Sequence, residues 1–544
     1  MISSGKALLK AFREPASRDS FCFVFLMLGA LFKFCLIAKS DIGDALDDPY
    51  EYVAQVIHPM AGGVAYGPGT GLFGRFFYEF GIPFRLGIEA AFMLALAWVL
   101  SALIESPRKS YLSCGVFLFA IFNPTPTELF SHFLSDQIWM VETMLGVAYM
   151  VFALRDPLQP KWLLLACSAL LLGFSTITRS CYALLAACLL FFTLIGSILI
   201  VVRGGWARGR TYLFTFVISM GTVVLGISTF YFSTCAYNLR HLHYFGISAV
   251  DCDQYKDFYL CLQSVGDPTG VNYFPVDEDR RKLIATAGPQ SKALMEQIDG
   301  ITLFKEIGFK TYGKYDVALG WFQFAIFAAN DSDVDRAYAR FKEVEREIHD
   351  AAQRGQLKVR PILPLPDCRL SLVLPVFPEA LRSTIRKVLY EPAPYPSGWS
   401  PQKLHYDDVN FSRALTRRSV SDSPLRYLTW RILHAIYAQL YTPAMVIILL
   451  ALIVSFWAFL AFAWRPAMED SLSLLGQQFF ALLFIALIFW YALFDASGTP
   501  VVSRYMIFHN VMLPILIVYY VRAFVGFYRR PRPSRRLCST VAGG

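Results

Sequence analysis

Charge is scarce in this chain. Only 17% of its 544 residues are Asp, Glu, Lys or Arg and 56% are hydrophobic, whereas soluble domains carry about 25% charged residues. That balance excludes a soluble multidomain enzyme, a coiled coil and a disordered scaffold, and it points to a membrane protein. Metal-binding patterns are equally absent. The 11 cysteines form no CxxC pair and no His/Cys cluster of zinc spacing, and most sit in apolar runs, where a cysteine acts as a small hydrophobe. A Cys252–Cys261 bridge is open to the chain if that region faces an oxidising compartment. Gly67-Pro-Gly-Thr-Gly71 lacks the Gly-Lys-Ser/Thr ending of a phosphate loop and reads as a turn. Neither an internal repeat nor a low-complexity segment occurs.

The net charge is +9, yet nucleic-acid binding is not expected, because the basic residues do not cluster on a folded face. They sit at the chain ends, as in Lys6, Lys10, Arg13 and Arg18 or Arg529, Arg530, Arg532, Arg535 and Arg536, and in short loops.

What the chain has in abundance is long apolar runs. A bilayer core about 30 Å thick takes about 20 apolar residues to cross as a helix, and ten segments approach this: 20–39, 86–104, 111–123, 137–154, 162–178, 183–202, 211–232, 441–463, 474–494 and 505–526. Arg108/Lys109, Arg155/Lys161, Arg203/Arg208/Arg210 and Arg465 alternate with them so that all fall on one side together with both termini. By the excess of Lys and Arg in short inner loops, that side is expected to be the cytoplasm. The first span follows a basic segment without a small-residue cleavage site and reads as an uncleaved anchor.

The expected organisation is therefore an N-terminal transmembrane module at 1–232, an extracytoplasmic domain at 233–424, mixed α/β or mainly helical, a C-terminal transmembrane module at 425–528 and a basic tail at 529–544. In the outer domain Val334, Tyr338, Phe341, Val344, Ile348 and Ala351 share one helical stripe, with Ser332 as candidate N-cap and Gly355 placed to end the helix. Residues 314–329 are expected in the membrane interface or in the core of that domain. Prolines 361, 364, 366, 375 and 378 then predict loops and short strands to about residue 424, followed by an amphipathic approach at 425–440.

Chemistry concentrates in the first outward loop, where Asp41, Asp44, Asp47, Asp48 and Glu51 follow the first span directly. Carboxylates so close at a low-dielectric boundary repel unless a cation or a basic ligand accompanies them; a solvated loop is the plain alternative. Within it, Asp48-Pro-Tyr-Glu-Tyr52 precedes an apolar stretch ending at His58. An aspartate just beyond the first span, followed by a tyrosine four residues on, resembles the GT-C superfamily of integral-membrane glycosyltransferases, in particular the protein mannosyltransferase and lipid A aminoarabinose transferase group. Glu128, His132 and Asp136 before the fourth span, Thr178-Arg179 at the end of the fifth, and Ser503-Arg504-Tyr505 with Pro514 downstream are similar to further elements of those enzymes. The resemblance covers the membrane half of the chain and leaves 233–424 unmatched.

What the resemblance implies is an α-helical polytopic fold of GT-C type that moves a sugar from a polyprenyl- or dolichyl-phosphate donor to a lipid, glycan or protein acceptor at the extracytoplasmic face. The membrane is expected to be a bacterial inner membrane, with the endoplasmic reticulum as the alternative. Asp48, aided by Asp47, is the expected base toward the acceptor hydroxyl. Arg504 and Arg179, with Tyr505, are expected to hold the departing phosphate. Tyr52, His58 and His132 are assigned to the pocket, although His58, like His241 and His243, lacks metal-ligand spacing and also fits an ordinary surface histidine. Asp47, Glu128 and Asp136 are the candidate ligands of a divalent cation, Mg or Mn, which hard oxygen donors suit. Arg179 and Arg504 also fit interfacial side chains reaching for water, and Asp136 fits a helix-starting charge. The competing functions are a transporter or flippase, an O-antigen polymerase or ligase, and a non-catalytic assembly subunit.

Overall fold

The computed structural model describes residues 15–37, 68–123, 126, 130, 135–155, 159–179, 181–247, 257–258, 261–262, 264–266, 277–300, 334–359, 374, 377–382, 384–385, 468–496 and 507–529. These are mostly helical. The helices are α1 (Pro15–Ile37), α2 (Gly69–Glu79), α3 (Phe84–Leu103), α4 (Tyr111–Ile121), α5 (Ser135–Ala153), α6 (Trp162–Thr178), α7 (Tyr182–Leu242), α8 (Asp277–Ala285), α9 (Pro289–Gly300), α10 (Val334–Gln353), α11 (Met468–Ala496) and α12 (Ile507–Arg529). Segments 314–329, 425–440 and 441–463, and the proline-rich stretch from 361 apart from a few positions, lie outside the described residues.

Four helical segments among the described residues are long and apolar enough to cross a membrane: Phe84–Leu103, Tyr182–Val202, Gly209–His241 and Leu474–Leu493. Tyr111–Ile121, Trp162–Thr178 and Ile507–Ala523 are apolar but shorter. A helical membrane protein is thus supported, with fewer demonstrable spans than the ten expected from hydropathy.

α7 spans 61 residues, yet it is not one straight rod. The rings of Phe192 and Phe216 lie 5.9 Å apart, whereas a straight helix would separate them by about 36 Å. Tyr182 stacks on Tyr231 at 4.1 Å and its hydroxyl lies 3.3 Å from that of Ser228. A Cβ on Gly209 would meet the Ile200 carbonyl at 3.1 Å. The chain therefore reverses between Ile200 and Gly209, and the basic stretch Arg203–Arg210 forms the tip of a helical hairpin.

Contacts along the helices fix their directions. α1 and α4 run parallel, with Phe21 against Tyr111 at one end and Phe32 against Phe122 at the other. α3 and α5 also run parallel, Phe92 meeting Phe130 early and Trp98 meeting Tyr149 and Phe152 late. α6 returns antiparallel to α5, with Leu172 filling the space beside Gly146. Small residues then let α6 approach the second arm of α7, since a Cβ on Gly173 would meet the Gly226 carbonyl at 3.1 Å. α11 packs on the first arm through Phe192 and Phe479. α12 returns beside α11, with the Tyr519 hydroxyl donating to Gln477 at 2.9 Å.

This arrangement gathers basic side chains at one end of the bundle. Arg155 donates to the Ser101 carbonyl at 2.7 Å, Arg522 reaches Glu105 at 3.3 Å, and Arg108 lies over the Phe23 ring. The hairpin tip belongs to the same end, because Gly196 packs on Leu475 and Gln477 donates to the Ala102 carbonyl.

Beyond α7 a second, separate core forms around Tyr244, Phe258, Leu294, Phe341, Val344 and Ile348. The stripe expected on α10 is its spine: Tyr338, Phe341, Val344, Ile348 and Ala351 are all buried, and Gly355 follows the helix at φ +73°, a conformation in which L side chains are strained. Glu347 accepts from the backbone N–H groups of Gln290 and Ser291 at 2.9 and 2.7 Å, closing the N-terminus of α9. A two-residue antiparallel ladder, β1 (Val265–Gly266) with β2 (Lys358–Val359), ties the lobe together. Cys261 is a free thiol, pushed up to about 12 by burial and by the nearby Glu345 carboxylate; Cys252 lies outside the described residues.

Candidate functional site

The end of the bundle opposite the basic one carries the candidate site. Asp136 lies in the first turn of α5 and is 3% exposed. Arg179 follows the last residue of α6 in an extended conformation, its N–H still bonded to the Ser175 carbonyl. Because α5 and α6 are antiparallel, these two termini coincide, and Arg179 forms an ion pair with Asp136. The helix start favours the carboxylate and the end of α6 favours the guanidinium, so both sit where the backbone dipoles stabilise them.

Neighbouring side chains fix the bend that carries Arg179. The Trp139 indole donates to Cys181 Sγ at 2.8 Å, and the Cys181 thiol donates to the Ser175 carbonyl. On the other side the start of α2 abuts Thr178: a Cβ on Gly69 would lie 2.6 Å from the Thr178 nitrogen and 2.7 Å from its Cα. Only glycine allows that approach, and it brings the start of α2 against the residue that precedes Arg179. The segment read as a turn at 67–71 is thus the first turn of a helix from Gly69 onward.

α2 then leads to the start of α3, with Phe73 and Phe77 against Phe84. There a second charged group lies. Lys33 Nζ and an Arg85 Nη approach the same oxygen, Glu89 Oε1, at 3.5 and 3.4 Å, and Lys33 also donates to the Ile121 carbonyl at 2.8 Å. Glu89 is 0% exposed. Deeper along α5, Glu142 is buried facing the Thr178 hydroxyl.

Of the residues expected in the site, the structure brings Asp136 and Arg179 together. Asp47, Asp48, Tyr52, His58, Glu128, His132, Arg504 and Tyr505 lie outside the described residues. Among the described residues no group of three or more His, Cys, Asp or Glu side chains is arranged to hold a metal ion. Among the described residues the cation paired with Asp136 is Arg179. Lys33, Arg85, Glu89 and Glu142 were not anticipated. The signal available was a lone charge inside an apolar run, which is expensive in a membrane and marks function or pairing; the acidic groups are therefore not confined to the ends of the spans.

No protein-family model, no curated protein and no solved structure matches the chain.

Proposed function

We propose that this protein is a membrane glycosyltransferase of GT-C type, which moves a sugar from a polyprenyl- or dolichyl-phosphate donor to a lipid, glycan or protein acceptor at the end of the bundle that carries Asp136 and Arg179. The observation that carries the reading is the ion pair of Asp136 with the partly buried Arg179 guanidinium, beside which the Gly69 approach to Thr178 sets the start of α2. Asp48 acts as base toward the acceptor hydroxyl, Asp47 supports it, and Arg179 and Arg504 balance the charge gathering on the departing phosphate. A phosphate that reaches Arg179 shares it with Asp136. The basic residues at the opposite end support an orientation with that end in the cytoplasm and the site outside.

The test is mass spectrometry of lipid that copurifies with the protein. An isoprenoid phosphate or its sugar derivative is the expected finding; its consistent absence, with only bulk phospholipid bound, overturns the reading. A proton- or ion-coupled transporter is the second reading, favoured by one observation: Glu89 and Glu142 lie within helices of the bundle, where transporters place their coupling groups. Uptake driven by an imposed pH gradient in proteoliposomes would select it.

A further inference from the structure

Lys33 is one helical turn from the end of α1. A lysine at that depth, about 6 Å inside the helix end, ordinarily extends its amine to the membrane surface. Here it turns inward, is fully buried, and is stationed by three helices: its own, α3 through Glu89, and the carbonyl end of α4 through Ile121. Arg85, in the first turn of α3, comes to the same Glu89 oxygen. Two cations from different helices thus converge on one acceptor atom at the rim of the bundle, at the end where α2 links α3 to Thr178.

A buried ion cluster that only fastened helices would be a poor choice, because well-packed apolar residues do as well or better. Two cationic donors sharing one oxygen are instead the arrangement that receives a phosphate, whose several oxygens accept charge-assisted hydrogen bonds from Lys and Arg together. The depth also fits, since headgroups occupy the layer that flanks the hydrocarbon core.

We propose that Lys33 and Arg85, gathered on Glu89, form a seat for a phosphate group at the rim of the bundle, with a phosphate oxygen taking the place that the Glu89 oxygen now holds. Glu89 is the resident acceptor that keeps the two cations in position. The inference rests on the transferase reading and deepens it, because it assigns the lipid phosphate a place apart from Arg179.

Thermal unfolding of the purified full chain in detergent tests this with three probes: farnesyl monophosphate, farnesol and inorganic phosphate. Farnesyl monophosphate should stabilise the wild-type chain and farnesol should not. Lys33→Met, which retains the Arg85–Glu89 pair as a neutral couple, should weaken the apparent affinity for the monophosphate by about tenfold or more. Glu89→Gln should bind it more tightly than wild type, because the competing acceptor is gone. A response to inorganic phosphate as large as that to the monophosphate, with the same dependence on Lys33, supports the seat and assigns it to free phosphate; a response to the monophosphate alone supports it and assigns it to the lipid. If both variants respond as wild type does, the seat is overturned, while the transferase reading, tested by copurified lipid, stands. If the wild-type chain responds to neither phosphate, the seat is overturned whatever the variants do.

Discussion

Asp136 and Arg179 belong to different helices and meet because α5 and α6 are antiparallel, so the first turn of one lies beside the residue that ends the other. A pair this buried is costly to break on one side, because the remaining charge stays without its counter-ion. Arg179→Gln or Asp136→Asn alone should lower stability by about 3 kcal/mol. The double variant Asp136→Asn/Arg179→Gln should lose less than the sum of the two. Chemical or thermal unfolding of the three variants checks this, and additive losses would show that the two groups do not interact.

Gly69 is the contact through which the start of α2 reaches Thr178, the residue before Arg179. A Cβ there must displace backbone at Thr178, so Gly69→Ala should cost about 1–3 kcal/mol and Gly69→Val more. Because the strain falls beside the candidate site, donor use should fall at temperatures where the variant is still folded. Wild-type turnover in Gly69→Val would remove the α2–Thr178 contact from the account.

The lobe beyond α7 has its own pH dependence. Burial, with the neighbouring Asp257 carboxylate adding to it, pushes the Glu345 carboxyl up to about 7, from 4.5. Between those pH values the folded chain holds a proton that the unfolded chain has released. Stability is then greatest below about 4.5 and is lost as pH rises through about 7. Glu345→Gln should flatten that slope and stabilise the lobe at pH 8 by about 1 kcal/mol, the modest size reflecting partial solvent screening. Unfolding midpoints measured from pH 4.5 to 8 check the sign, and an unchanged slope in the variant would contradict it.

Sidedness follows from the register of the helices. Glu79, exposed at the end of α2, and Gly205, in the α7 hairpin, stand at opposite ends of the bundle. Single cysteines at these positions in a chain lacking other reactive thiols should be labelled by an impermeant maleimide from opposite faces, position 205 from the cytoplasmic one. Labelling of both from one face would contradict the arrangement.

Much of the architecture is legible in the sequence where local pattern decides it. The α10 stripe follows from apolar residues at helical spacing, and the reversal near Arg203–Arg210 follows from a basic, glycine-containing interruption between two apolar runs. The clusters are harder to read. Lys33, Glu89 and Glu142 each look like a single blemish in an apolar run, and nothing local says that Lys33 turns inward to Glu89 or that Glu142 lies under Thr178. Those are facts of helix packing. The Asp136–Arg179 pair was half visible: both residues stood out by position, but their partnership depends on the antiparallel return of α6. Asp48, Asp47, Arg504 and the remaining candidates rest on the sequence alone.

The central claim is that sugar leaves a lipid phosphate under the action of a carboxylate in the first loop. Its most direct test is chromatography with mass spectrometry of polyprenyl-phosphate sugars incubated with the reconstituted protein and an envelope-lipid acceptor fraction, comparing the wild-type chain with Asp48→Asn. The account predicts consumption of one such donor by the wild type and a loss on the order of 10²–10⁴-fold in the variant, with both proteins equally folded. Equal consumption by the two, or no consumption of any lipid-phosphate sugar by the wild type, would contradict it.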